Sequence, residues 1–152
     1  MKTIKDEVIF NEFLSTEQKT HINLVLTAIY VDTKLETILT KFGLDLALFN
    51  ILRIVDSKSD KIINIKEIQQ GMMHKMANTS RLIKVLEDRE MIERTPSKKD
   101  KRVVNVSMTE KGAIVMEQLQ DLTNEFHVEQ FSEFSEKELE TLNNLLNKAR
   151  NI

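Results

Sequence analysis

The chain is expected to be mainly α with a small β-hairpin, and three observations carry that expectation. Apolar residues recur at three- and four-residue steps through most of the 152 positions, which is the helical period. Only three Gly and one Pro interrupt the chain, while 41% of residues are apolar and 30% charged, a balance that suits a helical protein better than a disordered or strand-rich one. Two short β-branched runs flank a charged loop between the helical stretches. The length suits one core and is short for two, so a single folding unit is expected.

Taken in order, Ile22, Val25, Leu26, Ile29, Leu35, Ile38, Leu39 and Phe42 predict one long helix over 16–42, with Thr16 as N-cap and Gly43 as stop. A second helix is expected over about 45–55, where Leu48, Phe49, Leu52 and Val55 share a side, and the polar run 56–60 closes it. Asn64 stands three residues before Glu67, the spacing of a capping box, and Ile65, Ile68 and Met72 give that short helix an apolar face. After a break near 73–76, Leu82, Val85 and Leu86 mark the buried side of another helix, whose outer side shows Asn78, Arg81, Lys84 and Asp88. Two short helices joined by a tight turn make a helix-turn-helix. Residues 92–95 and 103–108 read as the two strands of a hairpin, and Pro96 falls at the end of the first, where its missing N–H costs little. Thr109 is the expected cap of a helix carrying Met116, Leu119, Leu122 and Phe126 towards Phe131. Ser135 and Glu138 form a second box ahead of Leu139, Leu142, Leu145 and Leu146, a stripe that a small chain usually buries against another helix or another subunit.

Several function classes are excluded. No apolar run approaches the roughly 18 to 20 residues of a membrane span, and Asp6, Glu7 and Glu12 occupy the place of a signal peptide's apolar stretch, so a cytoplasmic protein with no membrane partner is expected. The absence of Cys excludes disulfides, thiolate zinc sites and thiol-based sensing. No Gly-rich phosphate loop, nucleophile motif or paired-acid spacing stands out, so neither catalysis nor a cofactor is expected. The cluster Met72-Met73-His74-Lys75-Met76 has soft ligands for copper(I), yet Met at helical spacing ordinarily packs. His21 and His127 have no evident ligand partners, and no metal site is expected.

Charge separates the chain into two regions. Residues 58–112 hold 13 basic and 8 acidic side chains, net +5, leaving 9 basic and 16 acidic, net −7, for the flanks, so the overall −2 conceals a positive segment. That segment contains the helix-turn-helix, whose second helix fits a DNA major groove when the first braces it. Residues 77–84 are the expected reading element. Asn78 has the donor–acceptor pair that engages adenine, Arg81 the fork that takes guanine, Thr79 and Ser80 suit bases or phosphates, and Lys84 suits phosphate. The hairpin loop adds Lys98, Lys99, Asp100, Lys101 and Arg102, a basic composition for a mere turn. An Arg at such a tip suits the narrow minor groove, and Asp100 is placed to hold the Arg102 side chain. Together these features predict a winged helix-turn-helix that binds double-stranded DNA, over about 64–112. The competing reading is a winged helix used for protein contacts, an accessory module without sequence-specific DNA binding.

The runs Asn64-Ile65-Lys66-Glu67-Ile68, Arg81-Leu82-Ile83-Lys84-Val85-Leu86-Glu87-Asp88, Met91-Ile92-Glu93-Arg94, Asp100-Lys101-Arg102 and Met108-Thr109-Glu110-Lys111-Gly112 resemble the MarR family of bacterial transcriptional regulators, and the likeness covers nearly the whole chain. It implies one MarR-like domain over 1–152, with a helical dimerisation region at 1–43 and 113–152 and a winged helix-turn-helix lobe at 44–112. It further implies a homodimer on a pseudo-palindromic operator, repression as the commoner mode, and release by a small aromatic or anionic ligand bound between the dimer region and the lobe. Carried over, the recognition helix falls on 77–90, and the minor-groove arginine steadied by an acid falls on Arg102 with Asp100. Tyr30, Phe49 and Arg53 lie on helices placed to line a ligand pocket, although Phe49 also fits an ordinary core position. The sequence departs from the family in having Lys101 where an Arg is usual at the wing tip, and Glu90 where a Gly is usual ahead of the first wing strand.

Overall fold

The apolar stripes converge on one core formed by Leu39, Leu48, Ile51, Leu52, Val55, Ile63, Ile68, Ile83, Leu86, Ile92, Val106, Met116 and Leu119. The computed structural model describes residues 13, 15–72, 78–97 and 100–151. Helix α1, Thr16–Leu39, is capped by Ser15, whose Oγ accepts the Gln18 N–H at 3.2 Å, so the cap falls one residue before Thr16. Its end tightens into a 3₁₀ turn, Thr40–Phe42, instead of running on as α-helix to Phe42. Gly43 then takes φ +70°, and the N–H groups of Gly43 and Leu44 donate to Thr40 and Leu39 carbonyls at 3.0 Å each. The left-handed residue turns the chain sharply enough for Asp45 to cap α2, Leu46–Asp56.

Helix α2 is the central element because it is apolar on most of its surface: Leu48, Phe49, Asn50, Ile51, Leu52 and Val55 are all buried. It packs on α1 and on α3 (Ile65–Gly71), α4 (Thr79–Asp88), β3 (Val104–Met108) and α5 (Glu110–Gln130). The polar member of its buried set, Asn50, donates from Nδ2 to the Met72 sulfur at 3.7 Å. Both predicted capping boxes form. The Asn64 Oδ1 accepts the Glu67 N–H at 2.9 Å while the Glu67 carboxylate accepts the Asn64 N–H at 3.2 Å, and Ser135 and Glu138 reciprocate in the same way.

The expected hairpin is one part of a three-stranded antiparallel sheet ordered β1-β3-β2, with β1 at Ile62–Asn64 and β2 at Ile92–Pro96. Ile63 lies opposite Val106, and Arg94 lies opposite Val106 from the other side. A three-residue strand is too short to show a two-residue period, so β1 leaves no trace in the pattern; it forms because β3 offers it an edge and buries Ile63. The second hairpin strand begins at Val104, since Val103 belongs to the turn closing the loop. Helix α6, Glu136–Ala149, has no fully buried residue: Leu139, Leu142 and Leu146 of its stripe are half-buried and Leu145 is 59% exposed.

The crossing from α4 into β2 is the tightest point. Glu90, where the resemblance expected a glycine, has φ +60°, so the turn is left-handed at the steric cost of a Cβ. Gly112, in the first turn of α5, faces the Met91 backbone so closely that a Cβ there would lie 2.0 Å from the Met91 carbonyl oxygen. Two expectations follow for equilibrium denaturation. Gly112→Ala should destabilise by at least about 1–3 kcal/mol, as overpacking does, because the obstacle is backbone. Glu90→Gly should raise stability by about 1 kcal/mol by removing the left-handed penalty; its carboxylate's pairing with Lys111 at 3.2 Å is exposed and offsets little.

Candidate nucleic-acid interface

The helix expected to read DNA, which the resemblance put at 77–90, is α4, the ten residues Thr79–Asp88. Asn78 is its N-cap: Oδ1 accepts the Arg81 N–H at 3.3 Å. The cap engages one lone pair of the Asn78 carbonyl oxygen that was expected to face adenine. Thr79, expected to meet bases or phosphates, is only 4% exposed. Ser80, Arg81, Lys84 and Asp88 are exposed, while Ile83 and Leu86 anchor the opposite side on α2 and β2. The helix thus presents a polar face on a rigid apolar base. Arg81 sits at the mouth of a cleft of about 470 Å³ between α4 and the start of α2, lined also by Asp45, Leu48, Asn78, Leu82 and Arg89.

Beyond β2, the tip of the hairpin is wound by local bonds. Asp100 Oδ1 accepts the backbone N–H of Arg102 at 2.9 Å, the Asp100 carbonyl accepts the Val103 N–H at 2.9 Å, and the Val103 carbonyl accepts the Ser97 N–H at 2.8 Å. The acid was expected to hold the Arg102 guanidinium; it holds the backbone instead, since an Asp two residues ahead closes an Asx turn more readily than it reaches along a side chain. Lys101 and Arg102 are exposed. Lys98 and Lys99, and Ala77 with the Met73–Met76 stretch, lie outside the described residues.

Electrostatics sort the basic side chains of this region. Lys58 pairs with Glu67 at 3.2 Å, Lys61 with Asp56 at 2.5 Å, Lys84 with Asp88 at 3.1 Å and Lys111 with Glu90, and Arg94 on β2 pairs with Glu87 on α4. Among the described residues no acid stands within ion-pair distance of Arg81, Lys101 or Arg102, so these three present uncompensated charge on α4 and on the wing tip. Lys84 keeps a partner, but an exposed i,i+4 pair is weak and exchanges easily for a phosphate. The Arg94–Glu87 pair was not singled out from sequence, because its members lie seven residues apart across a turn, a spacing with no periodic signature. It ties the wing's first strand to the recognition helix.

The residues expected around a ligand are not gathered at one place. Phe49 is buried in the core, as its alternative reading had it, and Arg53 is exposed in the last turn of α2. Tyr30 does line a cleft of about 460 Å³, between α1 and α5, but its companions there are Lys34, Thr37, Ile38, Phe126 and Glu129. The Lys34 ammonium lies 4.7 Å from the Tyr30 ring centroid, a cation–π contact. Phe49 and Arg53 point elsewhere because α2 turns its own apolar side to the core. Among the described residues, His, Asp and Glu do not assemble into a three-ligand group, and no helix is long and apolar enough to cross a membrane.

Four carboxylates are held below their ordinary value of 4.5: Glu87 by the Arg94 guanidinium, Glu67 by the Asn64 N–H and then Lys58, Glu138 by the Ser135 hydroxyl and N–H, and Glu17 by a backbone N–H and then the Ser15 hydroxyl. A depressed folded value means that the unfolded chain takes up protons first. Each group therefore adds stability above the unfolded value, which is lost as pH falls through the lower folded one. The stability gap between the chain and its Glu87→Gln variant should accordingly shrink from about pH 6 to about pH 3 in denaturant titrations. A gap constant over that range would remove the ion pair as its source.

Comparison with known proteins agrees with this architecture. Residues 44–104 match the model of the MarR family. Over 112 residues, 74% of the chain, the sequence is 26% identical to the HTH-type transcriptional repressor IacR of Pseudomonas putida, a stretch covering 66%, just under two thirds, of that protein. Over 108 residues, 71% of this chain and 70% of the relative, it is 27% identical to the HTH-type transcriptional regulator SarZ of Staphylococcus aureus. A MarR/EmrR family transcriptional regulator from Acinetobacter sp. ADP1 superposes with a TM-score of 0.75 at 27% identity, over 91% of this chain and 96% of that one. A mutant MarR from E. coli complexed with operator DNA has the same fold, with a TM-score of 0.77, 23% identity, and coverage of 97% and 99%.

Proposed function

We propose that this chain, which belongs to the MarR family of winged-helix transcriptional regulators and not to a family of enzymes, is a cytoplasmic homodimer that binds a pseudo-palindromic operator and represses transcription from it. The observation that carries the reading is the uncompensated charge of Arg81 on α4 together with Lys101 and Arg102 on the wing tip, on elements whose other sides are fastened to the core. A helix so exposed enters the major groove, where the Arg81 fork matches the N7 and O6 acceptors of guanine. Ser80 and Lys84 accompany it, facing bases and phosphates. Arg102 and Lys101 reach the flanking minor groove, whose negative potential attracts them. The naming of IacR as a repressor supports the sign of regulation, and the operator complex of the E. coli protein supports the mode of binding.

Two copies are needed to read an inverted repeat. The apolar side chains that the single chain leaves open supply the joining surface: Leu24, Val25 and Ile29 on α1, Leu122 and Val128 on α5, and Leu145 on α6, all at least 37% exposed. The α1–α5 cleft with Tyr30 and Lys34 is where a small aromatic anion would bind, ring against ring and carboxylate on the ammonium, and release the DNA.

Selection of duplexes from a random pool tests the main claim. An inverted repeat should be enriched, Arg81→Ala should relax one base position at a cost of about 1–3 kcal/mol, and Arg102→Ala should weaken preference in the flanking steps. Affinity should fall steeply with salt, and Lys84→Ala should lower the slope by about one unit. Enrichment of no repeat, or binding indifferent to salt, would give the protein-contact reading its place. Mass measurement in solution should show a dimer that Leu145→Lys converts to monomer.

A further inference from the structure

Arg89 belongs to the basic segment by sequence, and a DNA contact would be its ordinary assignment. In the structure it does something else. It stands at the C-cap of α4, with φ −89° and ψ 2°, and its Nη1 donates to the carbonyl oxygen of Gly43, 46 residues away. The same nitrogen lies 3.8 Å from the position a Gly43 Cβ would take, so the guanidinium rests against the left-handed turn that ends α1. That turn leaves carbonyl groups at a helix C-terminus, the negative end of the helix dipole, where a cation is favoured. The Arg89 backbone N–H meanwhile donates to the Val85 carbonyl at 3.2 Å, closing the last turn of α4. One residue therefore terminates two helices: its backbone closes the recognition helix, and its side chain closes the end of α1.

We infer that Arg89 is a positioning residue, a latch that transmits the orientation of α1 to the recognition helix. The inference rests on the proposed DNA-binding function for its consequence but not for its geometry. Little else connects these two helices directly: α4 packs on α2, which packs on α1, and a cleft of about 470 Å³ lies beside Arg89 between α4 and the start of α2. Removing the latch lets α4 move against α1 while leaving the core of α4, Ile83 and Leu86, in place. In a dimer joined partly through α1, the latch sets the separation of the two recognition helices, hence the spacing between half-sites.

The chain has no cysteine, which permits a direct measurement. Nitroxides at Thr33→Cys on α1 and Ser80→Cys on α4, in labelled chain diluted into unlabelled chain, report the α1–α4 distance without DNA. The distribution should be narrow with Arg89 present, broad in Arg89→Gln, and narrowed again in Arg89→Lys, which keeps one donor and the charge. An unchanged width in Arg89→Gln overturns the latch whatever the DNA result. On the duplex enriched by the unsubstituted chain, Arg89→Gln should bind about tenfold more weakly with the same salt slope, and should lose discrimination against a duplex with one extra base pair between half-sites. A slope reduced by about one unit would instead make Arg89 a phosphate contact and overturn the assignment. Failure of the unsubstituted chain to enrich any duplex, with the distance result intact, would count against the DNA-binding reading and not against the latch. If Arg89→Gln does not fold, Arg89→Met, which keeps the stem and removes the donors, takes its place: a broad distribution supports the latch and an unchanged width overturns it.

Discussion

The approach of α5 to the Met91 backbone is the constraint on which the rest of the lobe depends. At Gly112 a helix surface without a side chain meets a carbonyl, and the surrounding bonds tie four elements to that spot. The Thr109 N–H donates to the Met91 carbonyl at 3.1 Å, the Thr109 hydroxyl to the Glu90 carbonyl at 2.6 Å, and the Met91 N–H to the Leu86 carbonyl at 3.0 Å. The end of α4, the start of β2, the end of β3 and the first turn of α5 are thereby fastened within one hydrogen-bonded node. Recognition helix and wing take a fixed mutual angle from it, and that angle passes directly to α5. Buried backbone groups demand partners, and here they find them in one another.

Charge is arranged with comparable economy. In the basic segment of net +5, five cations stand within ion-pair distance of acids, Lys84 of Asp88 on its own helix and the other four of acids outside their own element, and Arg89 is engaged by a carbonyl. Some of these pairs join elements rather than turns of one helix. Arg94 holds the wing to α4, and Gln120 on α5 donates to Asp56, which in turn receives Lys61 ahead of β1. The positive field is left to a few side chains at defined points, so it is focused and not diffuse.

Much of this was legible in the sequence. Helices announce themselves by period and by caps, and Asn64, Thr109 and Ser135 cap where they were expected to, while Asp45, expected as the start of a helix, proves to be its cap. What escaped depends on tertiary partners. β1 exists only through its register with β3, and the latch and the Arg94–Glu87 tie depend on residues that the fold, not the sequence order, brings together. The candidate site was legible in position and less so in role. At the start of the helix, the Asn78 side chain caps the first turn and Thr79 is buried, features that depend on local geometry and packing as well as on residue type. Asp100 and Arg102 do interact, through the backbone. Glu90 shows that a turn can outlast the residue best suited to it when its flanks over-determine the path.

The described residues of the wing tip close on one another through the Asp100 turn, with Lys101 and Arg102 exposed, whereas α4 buries Ile83 and Leu86 and is engaged at its far end through Arg89. The two surfaces are therefore unequally free to vary. Exchanges at Lys101 and Arg102 are thermodynamically separate from folding, and their effects should add. Exchanges on α4 are made on a helix whose caps, latch and packing answer together. The tip is therefore a part of this molecule where a change of side chain is felt by whatever the tip touches before it is felt by the fold.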